Sequence, residues 1–356
     1  MTAERAGLAE VPWRRDADEL GAALARWAAA TDRGVITDVR APASGMANET
    51  VLFRLDGDPL VARLAPLPDS HPTFPTYDLD LQRRVMQLVQ AHTSVPVPGV
   101  VHLEESTEWF GVPFLVIEAV DGVVPGDNPP YVFDGWLARA SDAEQRRLEE
   151  SSIRVLVELH QIEDDGDTTA FLQPSAPGDT ALARQLAFQR AYYDWACEGT
   201  PVPVVERALD ALGATTPKSD RTVLNWGDSR IGNIIYRDFE PVAVLDWEMA
   251  TVGPAEVDLG WMTFFHAFFQ GLAEQYGMPG VPDLLVRQRA VATYEAMAGH
   301  ELLELGWFEA LAALRFPIIS IRTSIRSIAF GLQPPPDDPD DLILFLPLLQ
   351  RLLDEL

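Results

Sequence analysis

Residues 223–262 read VLNWGDSRIGNIIYRDFEPVAVLDWEMATVGPAEVDLGWM, and the spacing of the polar residues in them decides the fold. Asp228 is followed five residues later by Asn233, then by an apolar run, a turn, a second apolar run, and Asp246 at its end. Two short apolar runs flanking a turn predict a hairpin, which sets Asn233 and Asp246 at its mouth. Their oxygens suit a hard cation such as Mg²⁺, which prefers carboxylate, amide and phosphate oxygen. Asp228, just before Asn233 on the same loop, is placed to accept a proton from a hydroxyl nucleophile. An Asp-x4-Asn pair alone is usually a turn; Asp246 at a strand end and Asp258 beyond it make the combination specific.

Upstream of this island, residues 16–30 carry the helical spacing of Leu20, Ala23, Leu24 and Trp27. Segments 35–40, 49–55 and 59–64 are rich in β-branched or aromatic residues, and Asp56-Gly57-Asp58 separates the last two, so a strand and then a hairpin are expected. Residues 79–91 form an amphipathic helix, and Pro96-Val97-Pro98 ends it. Segments 100–104 and 113–120 read as strands, the second nearly all apolar and therefore buried, with Asp121-Gly122 as the exit. Helical patterns follow at 142–160, 180–196, 204–212, 260–276, 281–298, 302–332 and 341–356. The expected fold class is α+β in two lobes: residues 1–120 as a small antiparallel sheet with a leading helix, and 121–356 as a mainly helical lobe holding the island.

A length of 356 residues exceeds one typical core, which agrees with two lobes. The net charge of −27 argues against nucleic-acid and anionic-membrane partners, since either surface is repelled before contact. The charge is unevenly shared, −7 up to residue 120 and −20 beyond it. Cys197 is the only cysteine, so an intrachain disulfide and a zinc cluster are excluded and a reduced, cytoplasmic setting is expected. Neither a signal-peptide core nor an apolar run long enough to span a membrane is found in the sequence. The histidines lack metal-ligand spacing, and a Gly-x-Ser-x-Gly elbow is absent. Lys218 is the only lysine, so a chemistry that needs a fixed cation must use it or an arginine.

With Asp228, Asn233 and Asp246 in this order, the chain resembles the aminoglycoside phosphotransferase family, which shares the protein-kinase-like fold. The resemblance is strong at the island, extends over roughly residues 34–325, and includes Gly253-Pro254 through Asp258-Leu259-Gly260. It implies an ATP- and Mg²⁺-dependent kinase of a small-molecule hydroxyl, with aminoglycosides first among acceptors. Asp228 is the implied catalytic base, and Asn233 and Asp246 the metal ligands. Trp226-Gly227-Asp228 stands where the family usually has His-Gly-Asp, which leaves the role of position 226 open. On the nucleotide side the turn at 43–50, with Ser44, Gly45 and Asn48, lies where a phosphate-covering loop belongs. Arg63 takes the place of the strand lysine that holds the α- and β-phosphates. An arginine keeps the charge and offers a fork suited to phosphate oxygens. Its ion-pair partner is unassigned, with Asp80 and Gln82 as candidates, and adenine is expected against the backbone from Glu118 to Val120.

Arg230, two residues after the base, either stabilises the transferring phosphoryl group or pairs with an acid. His160 and the aromatic stripe of Phe188, Tyr192, Tyr193 and Trp195 read as packing residues, whereas Arg315, Arg322 and Arg326 either pair with core acids or face an acceptor. The rival to a kinase is a catalytically silent nucleotide-binding scaffold, motivated by Trp226, the missing helix glutamate and the single glycine of the turn.

Overall fold

The computed structural model describes residues 12–41 and 49–356. Ser44, Gly45 and Asn48 of the expected phosphate turn lie outside the described residues. The chain folds into two compact units, one comprising the described residues up to Leu79 with Gly99–Ala119 and Arg322–Pro335, the other Asp80–Pro98, Val120–Ile321 and Pro336–Leu356. The simple break expected after residue 120 differs from this in two segments: Asp80–Pro98 goes with the helical unit and Arg322–Pro335 with the sheet unit.

The first unit opens with α1 (Ala17–Ala30), whose N-terminal N–H groups at Asp18 and Glu19 are accepted by the Asp16 carboxylate. Strands β1 (Ile36–Arg40), β2 (Glu49–Leu55), β3 (Asp58–Leu64), β4 (Val100–Glu104) and β5 (Phe114–Glu118) form one antiparallel sheet in the order β1-β2-β3-β5-β4. Asp56 and Gly57 link β2 to β3 with positive φ at both positions, the geometry that matches a hairpin's twist. Strand alternation sends Val51, Phe53, Ala62, Leu64, Phe114 and Val116 to one face, where Leu20, Leu24 and Trp27 of α1 complete the core. Trp27 buries its ring there and donates its indole N–H to Glu104 Oε2 at 3.1 Å.

The second unit is helical around two small two-stranded sheets. Its helices are α2 (Leu79–His92, all but its first residue), α3 (Asp142–Leu159), α4 (Ala181–Ala196), α5 (Pro203–Ala214), α6 (Glu256–Gln275), α7 (Arg287–Ala298), the greater part of α8 (Gly306–Ala329) and α9 (Leu346–Asp354). Ser141 and Glu144 close a capping box on α3, and Gly299 ends α7 in the left-handed conformation. Strand β6 (Val223–Asn225) pairs with β9 (Thr251–Gly253), and β7 (Ile234–Arg237) with β8 (Glu240–Val244), both antiparallel.

Two departures from the sequence reading have clear causes. β9 is three residues long and carries no alternation to announce it. Helix α6 starts at Glu256, four residues ahead of the expected 260, because Gly260 does not begin the helix but permits close packing: a Cβ there would lie 2.9 Å from the Phe308 backbone. Among the described residues no helix is long and apolar enough to cross a membrane.

Candidate active site

The site is assembled where β6 ends and the β7–β8 hairpin begins. Leaving β6, the chain turns at Gly227 with φ +90°, and a Cβ at this position would sit 2.0 Å from the Met249 carbonyl oxygen. Only glycine satisfies both the φ and the approach. Asp228 follows, then a short 3-10 turn (Ile231–Asn233) leads into β7. The hairpin returns through Asp238 and Phe239, both with positive φ, and its mouth is closed by the Leu245 N–H donating to Asn233 O at 2.9 Å. This bond ties Asn233 to the residue before Asp246. Asp246 has φ 56° and ψ 65°, a left-handed conformation that costs a non-glycine residue about 1–3 kcal/mol and is concentrated at functional positions.

The Asp228 carboxylate is held by three side chains. Oδ1 accepts from the Trp261 indole at 2.8 Å and from Arg230 Nε at 3.2 Å. Oδ2 accepts from Asn233 Nδ2 at 2.6 Å and from Arg230 Nε at 3.3 Å. Asn233 Nδ2 also donates to the Asp228 backbone carbonyl at 3.0 Å, so the amide nitrogen faces Asp228 and Oδ1 is the atom left for a cation. No group of three or more His, Cys, Asp and Glu able to hold a metal ion occurs among the described residues. Asn233 Oδ1 with Asp246 fits instead the sparse oxygen set of Mg²⁺, which takes one or two protein ligands and completes its shell with phosphates and water.

Arg230 pairs with acids, binding both Asp228 and Asp127. Burial lowers the guanidinium pKa, but the neighbouring carboxylates Asp228 and Asp127 outweigh it and raise the pKa above the usual value. Beside this pair a cavity of about 10 Å³ is bordered by Tyr131, Met262, Phe265, His266 and Phe269. Tyr131 and His266 are joined at 2.8 Å, and His266 Nε2 donates to Val281 O at 3.0 Å. Burial pulls the His266 pKa down to about 4, so its ring is neutral.

Behind the loop stands Asp258, fully buried in the first turn of α6. Its Oδ2 accepts from the Trp226 backbone N–H at 2.7 Å and its Oδ1 from the Gly227 N–H at 2.9 Å, while His160 Nε2 lies 3.1 Å from Oδ2. His160 also bonds Tyr294, so it is a packing residue, as expected. Trp226, the departure from His-Gly-Asp, is fully buried and donates its indole N–H to Leu245 O at 2.8 Å. It therefore ties the Asp228 loop to the residue before Asp246. Asp127 and Trp261 were missed by sequence reasoning. Asp127 carries no local signal, whereas Trp261 lies three residues after Asp258 and hence on the same face of α6.

The remaining expected residues are more scattered. Arg63 sits half-buried in mid-sheet, opposite Thr50 on β2 and Leu115 on β5. Asp80, one candidate partner for it, is bound by Arg83 in its own helix, and Gln82 is buried. At the strand proposed to meet adenine, the Glu118 N–H is taken by Gly99 O at 2.9 Å and the Ala119 N–H by Pro59 O at 3.1 Å. Those two donors serve the sheet, and Val120 follows beyond the strand. Arg315, Arg322 and Arg326 are all buried: Arg315 donates to Gly227 O at 2.9 Å, Arg322 to Pro72 O at 3.3 Å, and Arg326 lies over the Trp13 ring. In the aromatic stripe Tyr192 and Tyr193 are buried and Phe188 is exposed.

Comparison with known proteins agrees with this geometry. Residues 38–300 match the model of the phosphotransferase enzyme family. Among solved structures, a Ralstonia eutropha protein described provisionally as an aminoglycoside phosphotransferase superposes with TM-score 0.64 at 21% identity, covering 96% of this chain and 97% of that one. A macrolide 2′-phosphotransferase of Brachybacterium faecium gives 0.57 at 19%, covering 88% and 99%. These likenesses establish the α+β, protein-kinase-like fold. Among curated proteins, mouse acyl-CoA dehydrogenase family member 10 is 29% identical over 61% of this chain and 19% of its own length. Chicken acyl-CoA dehydrogenase family member 11 is 28% identical over 64% and 28%. The chain thus spans less than a third of these two relatives. Taken with the Asp228, Asn233 and Asp246 arrangement, the family match over most of the chain shows that it belongs to the phosphotransferase enzyme family.

Proposed function

We propose that the chain transfers the γ-phosphoryl group of ATP to a hydroxyl of a small molecule. The observation that carries this is Asp228, oriented by Trp261, Arg230 and Asn233 next to Asp246 at the mouth of one hairpin. Asp228 takes the proton of the acceptor hydroxyl as its oxygen bonds the γ-phosphorus and the bond to the β-phosphate oxygen breaks. Asn233 Oδ1 and Asp246 would hold Mg²⁺, which would offset the phosphate charge. Arg63 holds the nucleotide phosphates, and Ser44, Gly45 and Asn48 cover them. Arg230 fixes the base and supplies the nearest cation to the transferring group. Adenine meets the carbonyl side of Glu118 and the backbone of Val120. A reducing, cytoplasmic setting belongs to this reading, in keeping with a single cysteine, Cys197.

Two acceptor classes follow. Solved relatives include an aminoglycoside phosphotransferase with hygromycin B, and a chain of net charge −27 attracts polycationic amino sugars. A second reading, a hydroxyl carried on an acyl body, is favoured by the curated relatives, named as acyl-CoA dehydrogenase family members.

The test is ADP release with Mg-ATP against aminoglycosides and hydroxyacyl thioesters, each with its deoxy analogue. Acceptor-dependent release that vanishes with the deoxy compound is expected, and Asp246→Ala should remove the Mg²⁺ dependence of nucleotide binding. Nucleotide binding with no turnover on any hydroxyl compound would instead establish the silent scaffold.

A further inference from the structure

We infer that Trp261 is a positioning residue for phosphoryl transfer, acting through its indole N–H on the Asp228 carboxylate, with Arg315 fixing the ring. The inference rests on the kinase function proposed above and assigns a part of that site which the motif does not contain. Trp261 is 1% exposed, and its only polar atom ends on Asp228 Oδ1 at 2.8 Å. An indole can donate but not accept, so it cannot compete for the proton that the base receives. Asn233 grips the other oxygen at 2.6 Å. Two donors on opposite oxygens fix the carboxylate plane, and arginine alone, with one Nε bridging both oxygens at 3.2 and 3.3 Å, does so less well.

The ring is itself fixed. The Arg315 guanidinium lies 4.3 Å from the centroid of Trp261 and donates to the carbonyl of Gly227, the residue before Asp228, at 2.9 Å. Arg315 is buried, and its burial pulls its pKa down to about 10 despite the nearby Asp258 and Asp228 carboxylates, so it stays charged at neutral pH. On α6, Asp258 and Trp261 stand one turn apart and act on consecutive parts of one loop: Asp258 on the Trp226 and Gly227 N–H groups, Trp261 on the Asp228 side chain. A loss of one donor leaves the base present but free to rotate. Misplacement on the scale of an ångström costs about 100-fold in rate.

The test uses the full chain with Mg-ATP and an acceptor that turns over with the native protein. Trp261→Phe keeps a ring and removes the N–H; benzothienylalanine at position 261 keeps the bicyclic shape and also lacks the N–H. Both should lower kcat by about 10- to 100-fold with KM for ATP near native, the pattern of a lost transition-state interaction. Trp261→Phe also lowers the thermal midpoint because it leaves a cavity at a buried site, so the isosteric benzothienylalanine protein carries the comparison. Trp261→His, which can restore a donor, should recover part of the loss. Native kcat in the benzothienylalanine protein, while Asp228→Ala is inactive, would overturn the role of the N–H and leave the kinase function standing. Equal turnover of native and Asp228→Ala proteins would overturn the assignment of Asp228 as base and the positioning role together, with the kinase activity still observed.

Discussion

The loop from Trp226 to Asn233 and the first turns of α6, from Glu256 to Trp261, meet over one carboxylate yet divide the work differently. The loop supplies the atoms that face a substrate: Asp228 keeps 15% of its side chain exposed. The helix supplies none, since Asp258 is fully buried and Trp261 nearly so, but it holds the backbone of Trp226 and Gly227 and one oxygen of Asp228. The difference teaches that reactive geometry in this chain is set by buried groups about thirty residues downstream of the motif. Burial makes such groups effective, because a charge-assisted hydrogen bond gains strength in a low dielectric and an unpaired partner there is costly.

The sharpest way to break the comparison is to remove the buried support. Asp258→Ala strands the N–H groups of Trp226 and Gly227 and leaves His160 without its carboxylate, at a cost of roughly 3–5 kcal/mol in unfolding free energy. Denaturant titration should show this as a large fall in midpoint. A change below about 1 kcal/mol would mean that the loop holds itself, since an ordinary hydrogen bond is worth about that much.

A smaller effect tests whether burial governs the same helix further along. His266 is neutral in the fold, its pKa pulled from 6.5 to about 4, so the unfolded chain binds more protons between those values. Stability therefore rises with pH in this window and is lost as pH falls from 6.5 towards 4, by at most about 3 kcal/mol. His266→Gln should flatten the pH dependence of the thermal midpoint over the same range. A slope equal to the native one would remove His266 from the cause.

Much of the fold was legible because the physical signals were local. Segments rich in β-branched or aromatic residues marked β1 to β3, short apolar runs marked β4 and β5, and Asp56-Gly57 marked the hairpin, since its positive φ values restrict the residue choice. The β7–β8 hairpin with Asn233 and Asp246 at its mouth followed from two apolar runs and a turn. What was not legible depends on tertiary packing. Gly260 reads as the start of a helix until Phe308 is seen packed against it in the helix's second turn. Arg230 could be assigned to an acid only when Asp127, about a hundred residues earlier, came alongside. Trp226 looked like a defect in the motif, whereas its indole bonds the carbonyl preceding Asp246, a role that its position alone does not reveal.

The most direct measurement follows label from γ-labelled Mg-ATP into a hydroxyl acceptor by the native protein and by Asp228→Ala, with nucleotide affinity measured for both. The native protein should form a labelled phosphomonoester, while Asp228→Ala should bind ATP with similar affinity and transfer label at least about 100-fold more slowly, the range of a lost general base. Equal transfer by the two proteins would contradict the role of Asp228 and with it the assignment of this site.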